Sequence, residues 1–230
     1  MQHDSQKTPA HENVYRTIRD MILRGDFAPG QPVTIQGLAE LLGAGMTPVR
    51  EAIRRLTSEG ALQFQGNRRV SVPELTEAQI DEILFARTIL EPELARIAAT
   101  RVTVEELCAL TTTDAALDAA IERGDAQGYL HHNYRFHMTL YEASGAEVLL
   151  PLVRTLWLRA APSLRVMCGL FGTRNLPDMH QMALEALRRG DAEAVARALE
   201  ADIRQGMENV RLALFARAGV TGQDNLIKQG

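Results

Sequence analysis

The chain has little that could crosslink it and nothing that could anchor it in a membrane. Only two of its 230 residues are cysteines, Cys108 and Cys168, too few for a disulfide framework and without the CxxC spacing of zinc or redox sites. We expect both to be reduced core residues. No apolar run approaches the roughly 18 residues of a transmembrane helix, and the N-terminus lacks the apolar segment of a signal peptide. We therefore expect a cytoplasmic protein with no membrane partner.

The chain also lacks a strong charge of either sign. Its net charge is −4, which argues against wholesale coating of nucleic acid but does not exclude a local basic surface. Residues 1–73 contain 9 Lys or Arg and 7 Asp or Glu, whereas the remaining residues contain 16 and 22. The apolar and charged fractions, 46% and 23%, are ordinary for a globular protein. Any contact with nucleic acid is therefore expected in the N-terminal part.

The first third of the chain has the pattern of three short helices and a β-hairpin. Apolar residues at helical spacing predict helices over 12–24, 34–43 and 47–59. Thr47 is expected to cap the third helix, with a proline at its first position. Alternating apolar residues over 62–72 predict a two-stranded hairpin with a basic tip.

Two helices joined by a tight turn can place the later helix in the major groove of DNA, with its first turn against base edges. Arg50 lies one turn into that helix and could present a bidentate fork to guanine. Thr47 could bond a phosphate or a base edge, while Arg54 and Arg55 could reach phosphates. The alternative is that these arginines form only a solvated helix face.

The rest of the chain, after Pro73, has the pattern of helices alone. Apolar residues recur every three or four positions, without strand-like alternation, and Thr103 with Glu106 forms a capping box. Prolines at 92, 151 and 162 are expected to bend helices. The predicted helices are 76–100, 103–123, 125–144, 146–170, 177–189 and 191–218. Together they predict an antiparallel helical bundle.

The stretch 22–72 resembles the winged helix-turn-helix of the GntR superfamily. The matching segments are "ILRGDFAPG", "LAELLG", "TPVREAIRRLTSEGAL" and a hairpin that ends in "VSV". The resemblance implies that Arg50 is the main base reader, that Thr47 and Arg54 hold the site, and that the loop at Gly66 and Asn67 enters the groove. The expected DNA-contacting residues are Thr47, Pro48, Arg50, Arg54, Arg55, Gly66, Asn67, Arg68 and Arg69.

This sequence departs from the family pattern at two places. Gly45-Met46 stands where the family usually has a Ser-Arg or Thr-Arg pair, and Gln36 stands where a basic residue often occurs. Both departures remove a charged contact with DNA. We therefore expect lower affinity for each half-site and a different operator sequence.

The C-terminal part is similar to the FCD effector-binding domain of the FadR-like branch. The segments that carry this resemblance are "ARTILEPELARIAA", "NYRFHMTLYEASG" and "MHQMALEALRRGDAEAVARAL". It implies a helical bundle that dimerises, that in many members holds a divalent metal beside a carboxylate ligand, and that usually belongs to a repressor. The expected fold is thus mainly α: a winged helix-turn-helix followed by an all-α antiparallel bundle. The expected limits are 1–11 for a mobile arm, 12–73 and 74–222 for the two domains, and 223–230 for a tail.

Four residues are candidates for a metal site in this domain. Asn133 and His137 are four positions apart and therefore share one helix face, as two ligands must. His180 and Asp202 complete the set. The family more often has Asp where Asn133 stands and His where Asp202 stands. Such a set suits zinc, nickel or manganese and leaves room for a carboxylate effector. The alternative is a metal-free pocket in which the two histidines are hydrogen-bonded to Asn133 and Asp202.

Two arginines are candidates for binding a small carboxylate effector, because a guanidinium group fits a carboxylate bidentately. Arg87 matches an arginine that the family often directs into the pocket, and Arg159 is the second candidate. Glu91 could instead pair with Arg87 across one helical turn. Trp157, the only tryptophan, is expected in the core.

Two other classes of function are alternatives to a regulator. A metal-dependent hydrolase domain fused to a DNA-binding module would need catalytic groups, but the chain has no HExxH motif, Gly-rich phosphate loop or serine elbow. A structural nucleoid protein would not need a domain with convergent polar residues. We therefore expect a DNA-binding regulator that is not an enzyme and that binds a palindromic operator as a homodimer through its bundle.

Overall fold

The structure is a computed structural model that describes residues 10–66, 69–170 and 178–227. Two of the expected DNA-contacting residues, Asn67 and Arg68, lie outside the described residues, as does most of the expected N-terminal arm. The fold is mainly helical, with a winged helix-turn-helix followed by a helical bundle, so the predicted fold class is confirmed.

In the N-terminal part, the residues that the structure describes form three helices and a small sheet. The elements are α1 (Ala10–Leu23), β1 (Pro32–Val33), α2 (Ile35–Leu42), α3 (Met46–Ser58), β2 (Gln63–Gln65) and β3 (Arg69–Ser71). The strands are antiparallel in the order β1-β3-β2. Ile18 and Ile22 of α1 and Val49 and Leu56 of α3 are fully buried. This shared core positions α3, whose opposite face is left exposed.

Two local features differ from the prediction. Strand β1 was not predicted, because two residues are too short to show an alternating pattern. The N-cap of α3 is Gly45, which has no side chain to accept a hydrogen bond, and the helix begins at Met46. The prediction that Thr47 is the N-cap is therefore wrong. Pro48 still lies in the first turn, where its missing N–H breaks no helical hydrogen bond.

The described residues of the C-terminal part form six helices. They are α4 (Glu77–Ala99), α5 (Val104–Arg123), α6 (Ala126–Glu142), α7 (Leu149–Leu170), α8 (Met179–Arg189) and α9 (Ala192–Ile227). Helix α9 packs against α4, α7 and α8, while α5 packs on α6. The predicted capping box of α5 is present: Thr103 Oγ1 accepts from Glu106 N at 3.1 Å, and Glu106 Oε2 accepts from Thr103 N at 2.8 Å.

Some C-terminal expectations need correction. Pro92 and Pro162 lie inside helices, but Pro151 lies in the first turn of α7 and cannot bend it there. Cys108 is exposed rather than buried, because it lies on the outer face of α5 while Leu110 faces the core. The side chain of Cys168 lies outside the described residues.

Helix α7 also connects the bundle to the N-terminal part. Arg159 Nε donates to the backbone oxygen of Glu59, at the C-terminal end of α3, over 3.2 Å. The guanidinium of Arg165 donates to the backbone oxygen of Gly25, just after α1. Gly60 has a φ of +77°, and a Cβ there would lie 2.6 Å from Arg159 Nε. The two parts therefore meet at α7. Among the described helices, none is long and apolar enough to cross a membrane.

Candidate metal centre and nucleic-acid interface

The exposed face of α3 carries three of the residues expected to contact DNA. Thr47, Arg50 and Arg54 are all exposed and lie three and four positions apart, which puts them on one side of the helix. With the described residues, Arg50 and Arg54 form neither an ion pair nor a hydrogen bond. Both guanidinium groups are therefore available to a ligand that approaches this face.

Arg55, a fourth residue of α3 expected to contact DNA, also forms contacts within the protein. Its Nη1 lies 2.9 Å from Glu12 Oε2, and its Nε lies 3.2 Å from Glu59 Oε1. Its guanidinium carbon lies 3.6 Å from the centre of the Tyr15 ring. Arg55 thus joins α1 to α3, and a DNA phosphate would have to compete with Glu12 and Glu59 for its half-exposed guanidinium group.

In the wing, the hairpin of β2 and β3, the described residues contribute one further free cation. Arg69, in β3, is exposed and has no ion-pair partner among the described residues, and Gly66 beside it is exposed as well. A Cβ at Gly66 would meet nothing within 4 Å. On α2, Gln36 donates to Glu40 Oε1 at 3.0 Å, so this side chain has a local partner.

A second site lies inside the bundle, where three helices bring two imidazoles and a carboxylate together. His137 of α6, His180 of α8 and Asp202 of α9 offer ligand atoms that all lie within 4.8 Å of one another. His137 Nε2 is 3.1 Å from Asp202 Oδ2 and 3.3 Å from His180 Nε2, which is 3.8 Å from Asp202 Oδ1. Both histidines are buried. The cluster is a candidate metal centre.

The hydrogen bonds around this cluster determine where its lone pairs point. His180 Nδ1 lies 3.2 Å from Asp114 Oδ1, an acceptor, so that nitrogen carries the proton and Nε2 keeps its lone pair. Tyr141 donates its hydroxyl proton to Glu91 at 2.8 Å, so its oxygen accepts from His137 Nδ1 at 2.9 Å. In the neutral histidines, both Nε2 lone pairs therefore face Asp202.

With both histidines neutral, three electron-pair donors thus converge with no proton between them, and His137 can donate to Asp202 only when a second proton lies on its Nε2. This arrangement is unfavourable unless a cation or an added proton lies at the centre. Asp114 accepts a hydrogen bond from His180 Nδ1. A carboxylate in this position orients the imidazole ring and raises the basicity of Nε2, the nitrogen that would bind a metal. The donor set therefore fits a divalent metal.

The charged groups in the cluster shift one another's pKa values. Burial alone opposes the charge of Asp202, but the hydrogen bond with His137 and the nearby imidazoles lower the pKa of Asp202 to about 2. Burial lowers the pKa of His137. Burial also disfavours the charged form of His180, yet the hydrogen bond to Asp114 and the charge of Asp202 raise the pKa of His180 above its usual value. Without a metal, a proton on His180 would neutralise part of the centre.

A buried hydrogen-bond network around the Glu91 carboxylate holds the residues next to the centre in place. Arg87 Nε donates to Glu91 Oε1 at 2.5 Å, and Trp157 Nε1 donates to Glu91 Oε2 at 3.1 Å. The same carboxylate accepts from Tyr141, which holds His137. Arg87 lies 4.3 Å from the centre of the Trp157 ring. This network fixes the rotamers that aim His137 inward.

Asn133 lies beside the centre and borders a small cavity. It is 8% exposed, and the cavity, of about 40 Å³, is lined by Arg87, Asn133, Trp157, Asp202, Gln205 and Asn209, among others. Asp202 thus borders the cavity and also belongs to the cluster. The space suits a group of a few atoms, well below the roughly 300 Å³ of a pocket for a drug-sized ligand.

The two arginines expected to bind an effector lie in different places. Arg87 borders the cavity and pairs with Glu91, but the pair is buried, at 3% and 0% exposure, rather than on the surface. Arg159 is absent from the lining of this cavity and contacts the end of α3. Trp157, at 1% exposure, lies in the core as expected and also borders the cavity.

Sequence reasoning missed three residues that shape this site. Tyr141 follows His137 by four positions and so shares its helix face, a signal that could have been used. Glu91 was considered only as a partner of Arg87. Asp114 lies 66 residues before His180 and carries no local signal.

The fold and the two sites define a class of protein: a DNA-binding module joined to a helical ligand-binding domain, as in transcriptional regulators. Residues 10–72 match the bacterial regulatory proteins of the gntR family, and residues 82–205 match the FCD domain. The chain belongs to the gntR family of regulators with a C-terminal FCD domain. The prediction of a regulator rather than an enzyme is confirmed by this membership.

Individual relatives agree with this assignment. The chain is 29% identical over 197 residues to the HTH-type transcriptional regulator McbR of Escherichia coli (strain K12), which covers 84% of this chain and 89% of McbR. It is 27% identical over 207 residues to the HTH-type transcriptional repressor RspR of the same organism, covering 88% and 90%. A solved structure of E. coli McbR/YncC superposes with a TM-score of 0.82 at 27% identity, covering 90% of this chain and 99% of that one.

Proposed function

We propose that this regulator represses transcription from a palindromic operator, and that a small carboxylate bound at the centre of His137, His180 and Asp202 changes its affinity for DNA. The observation that carries the proposal is the convergence of three metal-binding groups beside a cavity that also contains a guanidinium group, Arg87. Repression is supported by the similarity to RspR, named as a repressor. Operator binding would place the protein in the cytoplasm.

A metal at this centre would be held by His137, His180 and Asp202, with the amide oxygen of Asn133 as a candidate fourth ligand. Two imidazoles, one carboxylate and one amide suit zinc, nickel or manganese. The bound ion would supply an electrophilic position for the carboxylate of an effector. Arg87 already has a carboxylate partner, Glu91. The carboxylate of an effector would therefore either compete with Glu91 for Arg87 or bind to Arg87 beside Glu91.

Helix α7 offers a direct path from the centre to the DNA-binding part. Trp157 borders the cavity and donates to Glu91, and two positions later Arg159 donates to the end of α3. A ligand that shifts Trp157 would therefore shift the contact that holds the recognition helix. For this coupling, the ligand must bind with different affinities to the arrangement that binds operator and to the arrangement that does not. A 100-fold change in operator affinity corresponds to a coupling free energy of about 2.7 kcal/mol.

The test is a gel shift of the full protein on its operator, loaded with metal, against a panel of small carboxylates that includes sugar acids and hydroxy acids. We expect one small acid to change operator affinity by 10-fold or more, and removal of the metal with EDTA to reduce that response. If no acid in the panel alters binding with or without metal, the effector proposal is wrong, while the family assignment stands.

The Arg50→Ala variant is expected to lose about 1 to 3 kcal/mol of operator affinity per half-site, with relaxed preference at one base position, because a bidentate contact to a base is removed. Arg54→Ala is the matched control from the same face, and it should weaken all sequences alike. Fluorescence anisotropy on operator and scrambled DNA measures both. Unchanged specific binding by Arg50→Ala would contradict the assignment of α3 as the recognition helix.

We propose that the bundle dimerises through α4 and α9. Phe85 and Ile89 lie four positions apart on α4 and are 69% and 53% exposed, and Leu212 on α9 is 46% exposed. Exposed apolar groups on neighbouring helices are typical of an interface. Light scattering should give twice the 25.4 kDa chain mass for the parent and a monomer for Phe85→Glu. Val148→Glu, at an equally exposed position on the bundle, should remain dimeric. A monomeric parent would contradict the proposal.

A further inference from the structure

A second and larger cavity, the interdomain cleft, lies between the DNA-binding part and the bundle. Its volume is about 580 Å³, within the range of pockets that hold metabolites. One wall comes from α1 and α3, and the other comes from α6 and α7. The lining includes six arginines: Arg16, Arg19, Arg24, Arg55, Arg135 and Arg154. The cleft does not share a lining residue with the cavity at the metal centre.

The cleft has more positive than negative charge. Its lining contains three carboxylates, Glu12, Asp20 and Glu142, against the six guanidinium groups. Arg24 and Arg55 also pair with Asp26 and Glu59 outside the lining, so the excess is one positive charge. The pair Arg154–Glu142, at 2.5 Å, is solvent-exposed, with side chains 43% and 54% exposed. Exposed pairs contribute little stability and exchange readily with a ligand. Arg135 on α6 is exposed and has no ion-pair partner among the described residues.

We propose that the interdomain cleft is a second ligand site, which binds small organic anions with two or more negative charges. Guanidinium groups bind phosphate and carboxylate oxygens bidentately, so several in one cleft select a polyanion. Tyr15 and Tyr134 supply aromatic surface beside them. Both phosphate esters and polycarboxylates have the required chemistry, because each presents planar or tetrahedral groups of anionic oxygens.

Binding there would act on the arrangement of the two parts. Arg19 belongs to α1, in the DNA-binding part, while Arg135 and Arg154 belong to the bundle. A polyanion held by both walls stabilises one relative orientation of the two, and so acts on DNA affinity. Tyr134 also contacts Trp157, with ring centres 5.6 Å apart, so the cleft and the metal centre share a wall of the bundle.

The test is isothermal titration of the full protein with two probes, inorganic pyrophosphate and citrate, which distinguish phosphate from carboxylate ligands. We expect saturable binding of at least one probe, and an affinity at least 10-fold lower in the double variant Arg135→Gln/Arg154→Gln. Arg204→Gln, which removes an exposed arginine paired with Glu200 at 2.7 Å on α9, is the matched control and should bind like the parent.

A third variant separates this site from the metal centre, because both probes also chelate metals. His180→Ala should bind the probe as the parent does. Loss of binding in His180→Ala, equal binding in the double variant, or no saturable binding by the parent would each overturn the proposal. A 10-fold loss of operator affinity in the double variant without any anion would also overturn it, since the arginines would then contact DNA.

Discussion

The His180→Ala variant is expected to contain less than about a tenth of the metal bound per chain by the parent and to lose the effector response. Its side chain supplies one of the two imidazoles of the cluster. Changing a residue that supports a ligand typically weakens metal binding by about 10- to 100-fold, and removing a ligand itself weakens metal binding more. His137→Ala should behave in the same way. Elemental analysis after dialysis against the metal, followed by gel shifts, measures both effects.

Effector-free DNA binding should change little in these variants, because neither histidine contacts α3. Asp114→Asn tests the positioning role of the carboxylate that holds His180 Nδ1, and about 10- to 100-fold weaker metal binding is expected. His11→Ala, at an exposed position on α1, is the matched control and should retain metal and response. If both centre variants respond to an effector as the parent does, the cluster is structural only.

The Glu91→Ala variant is expected to lower the free energy of unfolding by about 3 to 5 kcal/mol, because breaking a buried ion pair leaves an uncompensated charge. Glu91 is 0% exposed and, within the described part of the chain, is the one ion-pair partner of Arg87, itself 3% exposed. The change also leaves the donors of Tyr141 and Trp157 without their shared acceptor. Urea denaturation at fixed protein concentration measures the loss.

Two further variants sharpen this test. Glu200→Ala breaks an exposed pair with Arg204 and should cost less than about 1 kcal/mol. The double variant Arg87→Met/Glu91→Leu removes both charges and should recover a large part of the loss, because apolar groups can replace a buried pair. A loss below about 1 kcal/mol in Glu91→Ala would show that the network contributes little to folding.

The helices were largely predictable from the chain because their signals are local. The capping box of Thr103 and Glu106, and the Gly-Asp pairs at 124–125 and 190–191, act within a few residues. The grouping of His137, His180 and Asp202 was expected from the family resemblance, and the structure places all three together. Only the spacing of Asn133 and His137 on one helix could be worked out from position alone.

What the tertiary structure decided lies in contacts between distant segments. Asp114 meets His180 across 66 residues, and Arg159 meets Glu59 across 100; no periodicity or spacing predicts such partners. Arg55 was expected to contact DNA from its place on a basic helix, and only the packing of α1 against α3 shows that it also pairs with Glu12.

The sequence by itself determined the two-part helical architecture, the candidate recognition helix and the residue types of the candidate metal centre, because periodicity, caps and recognisable segments are carried by neighbouring residues. The tertiary structure decided the hydrogen-bond partners that aim the two histidines inward, the buried pair of Arg87 and Glu91, and the contacts of α7 with the DNA-binding part. These depend on how helices pack, since side-chain packing and the satisfaction of buried polar groups are set by elements far apart in the chain.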